Sequence, residues 1–305
     1  MQELKDSTGI DDSNKMNLRR SGPSRMAEGI AIHRFMESTK PEGERICHDP
    51  YAIHFISPET METYKDPSKA KAAHERYERL FPGLGNSIRA RVRYFDDFIK
   101  TAIEGGLEQL IILGAGYDTR AYRIEGIKGK VMVFEVDRPE TLKAKMEKIK
   151  EIFGSLPDHV VYVPVDFRVE RLGQRLTDCG YNKSLKTLFV MEGLIMYLPV
   201  EAVDDILAYV IENSGKGSKI LFDYFPDSVI KGTCEAGRNM REYAEMAGEP
   251  LQFSISEGTM ESFLAKRGFS QIQNVASEDY KKAYFHGVNE NRAVSNLLSI
   301  VHAAI

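Results

Sequence analysis

The sequence predicts an α/β fold with a doubly wound, mostly parallel seven-stranded sheet. After Gly105-Gly106, short apolar runs alternate with amphipathic stretches, which is the pattern of buried parallel strands joined by helices. Five such runs are present, at 107–114, 130–136, 160–165, 187–192 and 218–225. Residues 271–287 are predicted to supply the last two strands as an antiparallel edge pair. The first hundred residues are predicted to be mainly helical and to cap this sheet.

The other elements follow from hydrophobic spacing and capping residues. Residues 1–20 are polar and without a hydrophobic period, so we expect a mobile arm, or one that orders only on binding. Helices are predicted at 24–36, from Asp49-Pro50 onwards, at 69–80, 87–104, 140–152, 168–178, 200–212 and 258–267. We therefore expect one domain over 21–305, with a helical cap (21–104) and an α/β core (105–305). A segment rich in glycine and charge, at about 226–256, is interpreted as a lid insertion in that core.

Composition excludes several classes of protein. The 305 residues are 42% hydrophobic and 28% charged, which excludes collagen, a disulfide mini-scaffold and a wholly disordered chain. The net charge of −4 is too balanced for a general nucleic-acid binder. Cys47, Cys179 and Cys234 are widely spaced, which indicates a reduced compartment and neither a disulfide framework nor a metal site. With no apolar leader or membrane-length apolar run, we expect a cytoplasmic protein without a membrane or nucleic-acid partner.

A glycine turn follows the first predicted strand. The strand ends in Gly114-Ala115-Gly116, where two positions without a Cβ allow the backbone to approach a ligand closely. A dinucleotide fingerprint would need a third glycine where Thr119 stands, and the lysine of a phosphate loop is also missing. Neither a dinucleotide nor a triphosphate is therefore the first choice of ligand.

An acid follows this turn at an informative distance. The second strand ends with Glu135 and Asp137, and Asp137 stands 21 residues beyond Gly116. An acid there is placed to accept hydrogen bonds from ribose hydroxyls. A ligand that contains ribose but no pyrophosphate matches S-adenosylmethionine. The alternative is that the turn only joins a strand to a helix, which Asp137 caps.

Acids also follow the third and fourth predicted strands. In methyltransferase folds, an acid at the position of Asp166 can bind the adenine amino group, with Phe167 against the ring. Asp166 could instead cap the next helix. Glu192 lies inside an apolar run at the end of the fourth strand, where burial requires a partner or a ligand. A structural Arg or Lys could be that partner.

Several motifs together resemble the leucine carboxyl methyltransferase superfamily. They are LGAGYDTRAYR (113–123), FEVDRPETLKAK (134–145), VMEGLIMYL (190–198), HDPYA (48–52) and RVRYFDDF (91–98). The resemblance covers roughly 22–290. It is greater to the bacterial and archaeal small-molecule branch, which includes polyketide O-methyltransferases, than to the eukaryotic phosphatase-modifying branch. It implies a class I, Rossmann-like methyltransferase fold with S-adenosylmethionine as cofactor.

The resemblance also implies roles for residues around the methionine part of the cofactor. Arg91 matches the arginine that pairs with the methionine carboxylate, for which a guanidinium fork is suited. Glu192 would face the methionine amino end. Arg34 would add a contact to the carboxylate, or else be a solvated helix charge. Asp118 and Arg120 are interpreted as structural residues of the turn.

For the rest of the cofactor, the resemblance implies that Gly114, Ala115 and Gly116 pass under the methionine part. Asp137 would hold the ribose, and Asp166 and Phe167 would frame the adenine.

The implied reaction is in-line methyl transfer to an oxygen of a small-molecule acceptor. A carboxylate needs no general base because it is already ionised, whereas a hydroxyl would be helped by one, for which His286 is a candidate. We expect the acceptor pocket between the cap and the strand ends. Its candidate walls are aromatic, although each could instead be a core residue: Tyr197, Tyr224, Phe225, Tyr243, Phe253 and Tyr284, with His286 beside them.

Three functions remain open from the sequence. A small-molecule O-methyltransferase is favoured. A protein carboxyl methyltransferase would need a groove for a peptide tail, and a cofactor-binding protein without turnover would have kept only the fold. A nicotinamide dehydrogenase is disfavoured by the missing third glycine.

Overall fold

The computed structural model describes residues 24–305, and the predicted arm at 1–20 lies outside them. The strands are β1 (Gln109–Leu113), β2 (Met132–Asp137), β3 (Val160–Pro164), β4 (Thr187–Met191), β5 (Lys219–Tyr224), β6 (Ser270–Val275) and β7 (Ser299–Ala304). They form one seven-stranded sheet in the order β3-β2-β1-β4-β5-β7-β6, in which β1 to β5 are parallel. β7 is antiparallel to both of its neighbours. The predicted fold class is confirmed.

The sheet is buried on both faces, as continuous apolar strands require. Every residue of β1 and β4 is buried. Because successive side chains of a strand point to opposite faces, alternate residues feed two separate cores. One core contains Ile111, Phe134, Phe189 and Phe222. The other contains Leu110, Val133, Leu188 and Leu221.

Helices flank the sheet and cap one edge of it. Those of the cap are α1 (Arg25–Ser38), α2 (Pro58–Lys65), α3 (Pro67–Leu80) and α4 (Leu84–Glu104). Those of the core are α5 (Arg120–Arg123), α6 (Pro139–Phe153), α7 (Leu172–Asp178), α8 (Val200–Glu212), α9 (Asp227–Ile230), α10 (Glu235–Met246), α11 (Met260–Ala265) and α12 (Ser277–Tyr284). Within residues 24–305, no helix combines the length and the apolar character needed to cross a membrane.

The prediction for the last strands was half wrong. β6 begins one residue before 271–287, but the residues after it form α12, and its antiparallel partner is β7 near the end of the chain. Asp279 explains this helix, because its carboxylate accepts a hydrogen bond from the Ala276 amide and so caps the first turn. Tyr280 is then buried against α4, which holds α12 on the sheet's outer layer.

Two further differences concern the cap. The helix expected after Asp49-Pro50 is a single 3-10 turn (Ala52–Phe55), and α2 was not anticipated. α2 and α3 each begin with an N-cap side chain, Ser57 and Asp66, followed by proline in the first turn.

The sheet topology positions the site. β1 lies between β2 and β4, so the connections leave β1 in opposite directions. In such sheets a crevice forms at the carboxyl ends of the strands where the order reverses, and ligands bind there. The cap helices α1, α3 and α4 lie over this edge.

Candidate active site

A cavity of about 380 Å³ lies at the carboxyl edge of the sheet, under the cap. Its volume falls in the range of small-molecule and cofactor sites. Its floor consists of the residues that follow β1 to β5, and its roof consists of α1, α3, α10 and the loop after α10. The segment 226–256, interpreted as a lid, thus contributes Met240, Tyr243 and Glu249 to the walls.

The glycine turn is tightly packed and held by backbone hydrogen bonds. Gly114 has a φ of +67°, and a Cβ on it would meet Leu194 Cδ1 at 2.8 Å. Gly116 has a φ of +41°, and a Cβ there would meet the Cβ of Ala27 in α1 at 3.2 Å. Both positions therefore require glycine for conformation and for close packing. Ala115, between them, donates its amide to Val136 at 3.0 Å and accepts the Asp118 amide at 2.8 Å.

Asp137 is attached to this turn. Its Oδ2 accepts the Gly116 amide at 2.7 Å, and its Oδ1 accepts the Arg138 amide at 2.7 Å. Burial raises the pKa of Asp137, and the two amides oppose that rise. A carboxylate oxygen has more than one lone pair, so Asp137 keeps acceptor capacity toward the cavity that it lines.

Asp166 and Phe167 line the same cavity after β3. Asp166 is held in a two-point ion pair by Arg168, with Arg168 Nε 2.9 Å from Oδ1 and Nη2 2.6 Å from Oδ2. The hydrogen bonds from Arg168 lower the pKa of Asp166. Phe167 is buried against the core and supplies an apolar surface beside this acid.

Arg91 is bound by two protein carboxylates. Its Nε lies 3.0 Å from Glu192 Oε1 and its Nη1 lies 2.7 Å from Asp223 Oδ2. Burial would lower the pKa of Arg91, but Asp223 and Glu192 raise it above its usual value. The hydrogen bonds described for residues 24–305 leave Nη2 for another acceptor. Asp223 also accepts the Gly193 amide, so it orders the loop after β4.

Arg91 belongs to a longer buried chain of ion pairs. Arg120 bridges Glu192, Asp118 and Asp96 at 2.6 to 2.7 Å. Arg123 then links Asp96 to Asp49, and Asp49 binds Arg34 at 2.8 Å.

This ion-pair chain joins the cap to the strand ends. Five carboxylates meet four guanidiniums in it, which leaves one net negative charge. Arg34 also donates to the Tyr117 carbonyl at 2.5 Å, so it is tied to the turn and is not a solvated helix charge.

The predicted aromatic walls are only partly correct. Tyr197, Phe225 and Tyr243 line the cavity. At the end of β5, neighbouring side chains point to opposite faces, so Phe225 reaches the cavity whereas Tyr224 packs into the core and donates to Asn274 at 3.0 Å. Phe253 is likewise a core residue, beside Phe263.

The predictions for Tyr284 and His286 are wrong as well. Tyr284 lies under Arg93, which is 5.6 Å from its ring on the outer side of α4. His286 is exposed and contacts the Ala283 carbonyl. Tyr284 is the last residue of α12, and His286 follows that helix. The positions of both residues are therefore set by a helix and not by the predicted strand. Neither residue lines the cavity.

Apart from Arg34, the walls that the cap supplies were not among the predicted site residues. Ala27, Ile30, His33 and Arg34 line the cavity from α1, and Ala70, Ala73, His74 and Tyr77 line it from α3. Both sets recur at three- and four-residue spacing, which is the signal that could have identified these faces. The His33 ring packs against Tyr77 with ring centres 4.9 Å apart. Burial, followed by the charges of Arg89, Arg91 and His74, lowers the pKa of His33 well below 6.5.

The sequence profile described as leucine carboxyl methyltransferase matches residues 27–211, which is more than half of the chain. The chain belongs to the leucine carboxyl methyltransferase family. A relative in Mycolicibacterium smegmatis is 33% identical over 68% of each chain, and Bacillus subtilis YktD is 28% identical over 70% of this chain and 71% of its own. Both names assign the proteins to the S-adenosyl-L-methionine-dependent methyltransferases.

Solved structures agree with this fold. A DUF574 family protein of Streptomyces avermitilis aligns over 90% of this chain and 96% of its own, with a TM-score of 0.59 at 15% identity. A Thermobifida fusca structure described as a methyltransferase aligns over 77% and 88%, with a TM-score of 0.56 at 15% identity. The resemblance read from the motifs is confirmed, and the protein is an S-adenosylmethionine-dependent methyltransferase.

The donor set of this family member fits the family cofactor. Arg91 keeps Nη2 for a carboxylate, and Asp137 keeps lone pairs for hydroxyls. The turn Gly114–Gly116 presents a surface without bulky side chains, and Phe167 presents an apolar one. The net negative charge of the ion-pair chain also complements a ligand with a sulfonium and an ammonium against one carboxylate. The roles given to single residues stay predictions.

Proposed function

We propose that this methyltransferase acts on an oxygen of a small, largely apolar acceptor, and that the oxygen is already ionised when it arrives. One observation carries the proposal. The cavity next to the glycine turn continues into a chamber with apolar and aromatic walls: Ile30, Tyr64, Tyr77, Ile88, Met196, Tyr197, Phe225, Met240 and Tyr243. Such walls favour a planar or apolar small molecule.

The residues that would hold the cofactor are those that the motifs indicate. Arg91 would bind its carboxylate, Asp137 its ribose, and Phe167 its adenine. When bound, S-adenosylmethionine supplies an electrophilic methyl group on its sulfonium. The protein contributes binding, orientation and exclusion of water.

The cap and the lid supply that exclusion. α1, α3 and α10 each contribute residues to the cavity walls. Tyr77, Phe81 and Tyr243 form a row of ring contacts between them, with centroids 5.1 and 5.7 Å apart. An acceptor under this roof is desolvated and held in one orientation, which is what an in-line transfer needs.

The titratable groups named here are poorly suited to act as a general base, which favours an acceptor oxygen that is already ionised. Asp166 is ion-paired with Arg168, and Glu192 is ion-paired with Arg91 and Arg120, which weakens both carboxylates as proton acceptors, while Asp137 is assigned to the ribose. His33 faces the chamber, but burial and the nearby charges of Arg89 and Arg91 disfavour its protonation. A carboxylate needs no base, because it is ionised near neutral pH.

The test uses two acceptors of nearly the same shape. The protein is incubated with methyl-labelled S-adenosylmethionine and either 2-naphthoic acid or 2-naphthol, and the extracted label is then treated with alkali. We expect alkali-labile label, as in a methyl ester, from 2-naphthoic acid alone.

Alkali-stable label from 2-naphthol alone would overturn the ionised-oxygen part of the proposal. Label from neither compound, by a protein that binds S-adenosylhomocysteine in calorimetry, would overturn the aromatic small-molecule acceptor. A peptide ending in a free leucine carboxylate serves as a third arm, and label in it alone would favour the protein carboxyl methyltransferase.

A further inference from the structure

A second ion pair lies beneath the glycine turn, outside the ion-pair chain described above. Glu135 in β2 and Lys145 in α6 are both fully buried, and Lys145 Nζ lies 2.8 Å from Glu135 Oε2. Burying two charges carries a large desolvation penalty, so a buried pair of this kind adds little net stability compared with apolar side chains of similar volume. A contribution to stability is therefore a weak explanation for the presence of this buried pair.

Polar groups surround the pair incompletely. Tyr122 donates its hydroxyl to Glu135 Oε2 at 3.0 Å and lies 3.0 Å from the Tyr162 hydroxyl. Glu135 Oε1 is buried and has no hydrogen-bond partner within residues 24–305. The carboxylate is thus held mainly through one oxygen, and Lys145 is its charged partner.

Lys145 connects this pair to the turn. Its Nζ lies 3.3 Å from the carbonyl oxygen of Ala115, the residue between the two cavity-lining glycines. The same carbonyl accepts the Asp118 amide. Lys145 also acts on the turn electrostatically, because its charge, after that of Arg120, lowers the pKa of the buried Asp118 against the effect of burial.

The glycine turn needs such support from below. Both glycines have positive φ angles, and a backbone of this kind has few side chains of its own to fix it. The Ala115 amide is fixed by Val136, and the Gly116 amide is fixed by Asp137. The carbonyl of Ala115 is the remaining polar group of the turn's centre, and Lys145 is the charged side chain that reaches it.

We propose that Lys145 is a positioning residue for cofactor binding: its ammonium holds the Ala115 carbonyl and so fixes the turn under the cofactor, while Glu135 only balances its charge. It does this without touching the cofactor itself. The inference rests on the assignment of this turn to the cofactor and is independent of the acceptor.

Three variants separate positioning from stability. Lys145→Met removes the ammonium and leaves a buried carboxylate unpaired. Glu135→Gln keeps the ammonium and its contact with Ala115. The double variant Lys145→Met/Glu135→Gln removes both charges. The protein then has no unpaired buried charge, but it still lacks the ammonium that donates to the Ala115 carbonyl. Lys148→Met, in the exposed pair with Glu151 on the same helix, is the matched control.

Calorimetric titration with S-adenosylhomocysteine and thermal unfolding are measured for each variant. We expect Lys145→Met to lower Tm, and the double variant to regain much of it. The Kd should rise about tenfold in both, as expected for loss of one hydrogen bond from a charged donor. Glu135→Gln and Lys148→Met should bind within about twofold of the wild type.

A double variant with wild-type Kd would overturn the proposal, because affinity would then follow stability. A tenfold loss in Glu135→Gln would overturn it as well, and this variant decides the matter if Lys145→Met does not fold. Asp137→Ala is titrated in parallel. If it binds as the wild type does, the assignment of the turn to the cofactor fails, which is a different result from failure of Lys145.

Discussion

Arg91 Nη1 lies 2.7 Å from Asp223 Oδ2, and this buried ion pair joins the long cap helix α4 to the end of β5. It is the last link of a chain that begins at Arg34 and leaves one net negative charge beside the cavity. The carboxylate of Asp223 therefore has two effects. It orients the guanidinium, and it contributes to the electrostatic potential in which a cofactor binds.

Asp223→Asn should weaken S-adenosylmethionine more than S-adenosylhomocysteine. The two ligands share the carboxylate that Arg91 would bind, but only the first carries a sulfonium charge, so loss of one negative charge affects it more. We expect the ratio of the two Kd values to change about threefold to tenfold, measured by calorimetry.

The matched control is Asp204→Asn, which breaks a surface pair with Arg267 away from the cavity and should leave the ratio unchanged. An equal weakening of both ligands by Asp223→Asn would show that Asp223 acts only by orienting Arg91.

Asp137→Ala should weaken cofactor binding by roughly tenfold or more, about 1.4 kcal/mol, while the protein still folds. The carboxylate would hold the ribose, and it also fixes the Gly116 amide at 2.7 Å. Asp158→Ala, an exposed acid just before β3, provides the comparison. Unchanged affinity for S-adenosylhomocysteine would refute the ribose assignment.

The parts of the site that are local in sequence could be predicted. The strand runs, the turn at Gly114–Gly116 and Asp137 lie within one strand-turn-helix-strand unit, where hydrophobic pattern and spacing determine the arrangement. Asp223, in contrast, pairs with Arg91 across 132 residues of chain, and an acid at the end of β5 resembles any other strand-end acid in the sequence. Only the packing of α4 near the end of β5 brings the two together.

The cap walls and the sheet edge show the same limit. α3 is a polar helix, so the spacing of Ala70, Ala73 and Tyr77 indicates a shared face, but only the position of α3 shows that this face lines a cavity. At the edge, β7 pairs with β6 from beyond an intervening helix, a pairing that strand propensity alone cannot locate. Tyr284, which the sequence predicts to lie in the last strand pair, is the last residue of α12 instead.

The stability of the protein should depend on pH through His33. Burial and the charges of Arg89, Arg91 and His74 keep the folded-state pKa of His33 well below 6.5. Between that value and about 6.5 the unfolded chain binds the extra proton, so the free energy of unfolding rises with pH through this window. The stabilising contribution is complete above about pH 6.5 and is lost as the pH falls.

His33→Asn should therefore reduce this slope, by at most about 1.4 kcal/mol per pH unit for one proton. Urea unfolding of both proteins at pH 8, 7, 6 and 5 measures it, with the difference at pH 8 as the baseline. Parallel curves for the two proteins over the whole range would contradict the prediction.

Tyr77→Ala should raise the KM for the acceptor without changing cofactor binding. Tyr77 lines the chamber from α3 and contacts His33 and Phe81, whereas Asp137 and the glycine turn line the cavity from the strand ends. Its loss opens the roof over the acceptor and removes an aromatic contact, which is worth about 0.5–1.5 kcal/mol beyond buried area. We expect the KM for 2-naphthoic acid to rise about threefold to tenfold, with the Kd for S-adenosylhomocysteine unchanged. Tyr284→Ala is the control, because that tyrosine lies outside the cavity, and an equal rise of KM in both variants would refute the placement of the acceptor.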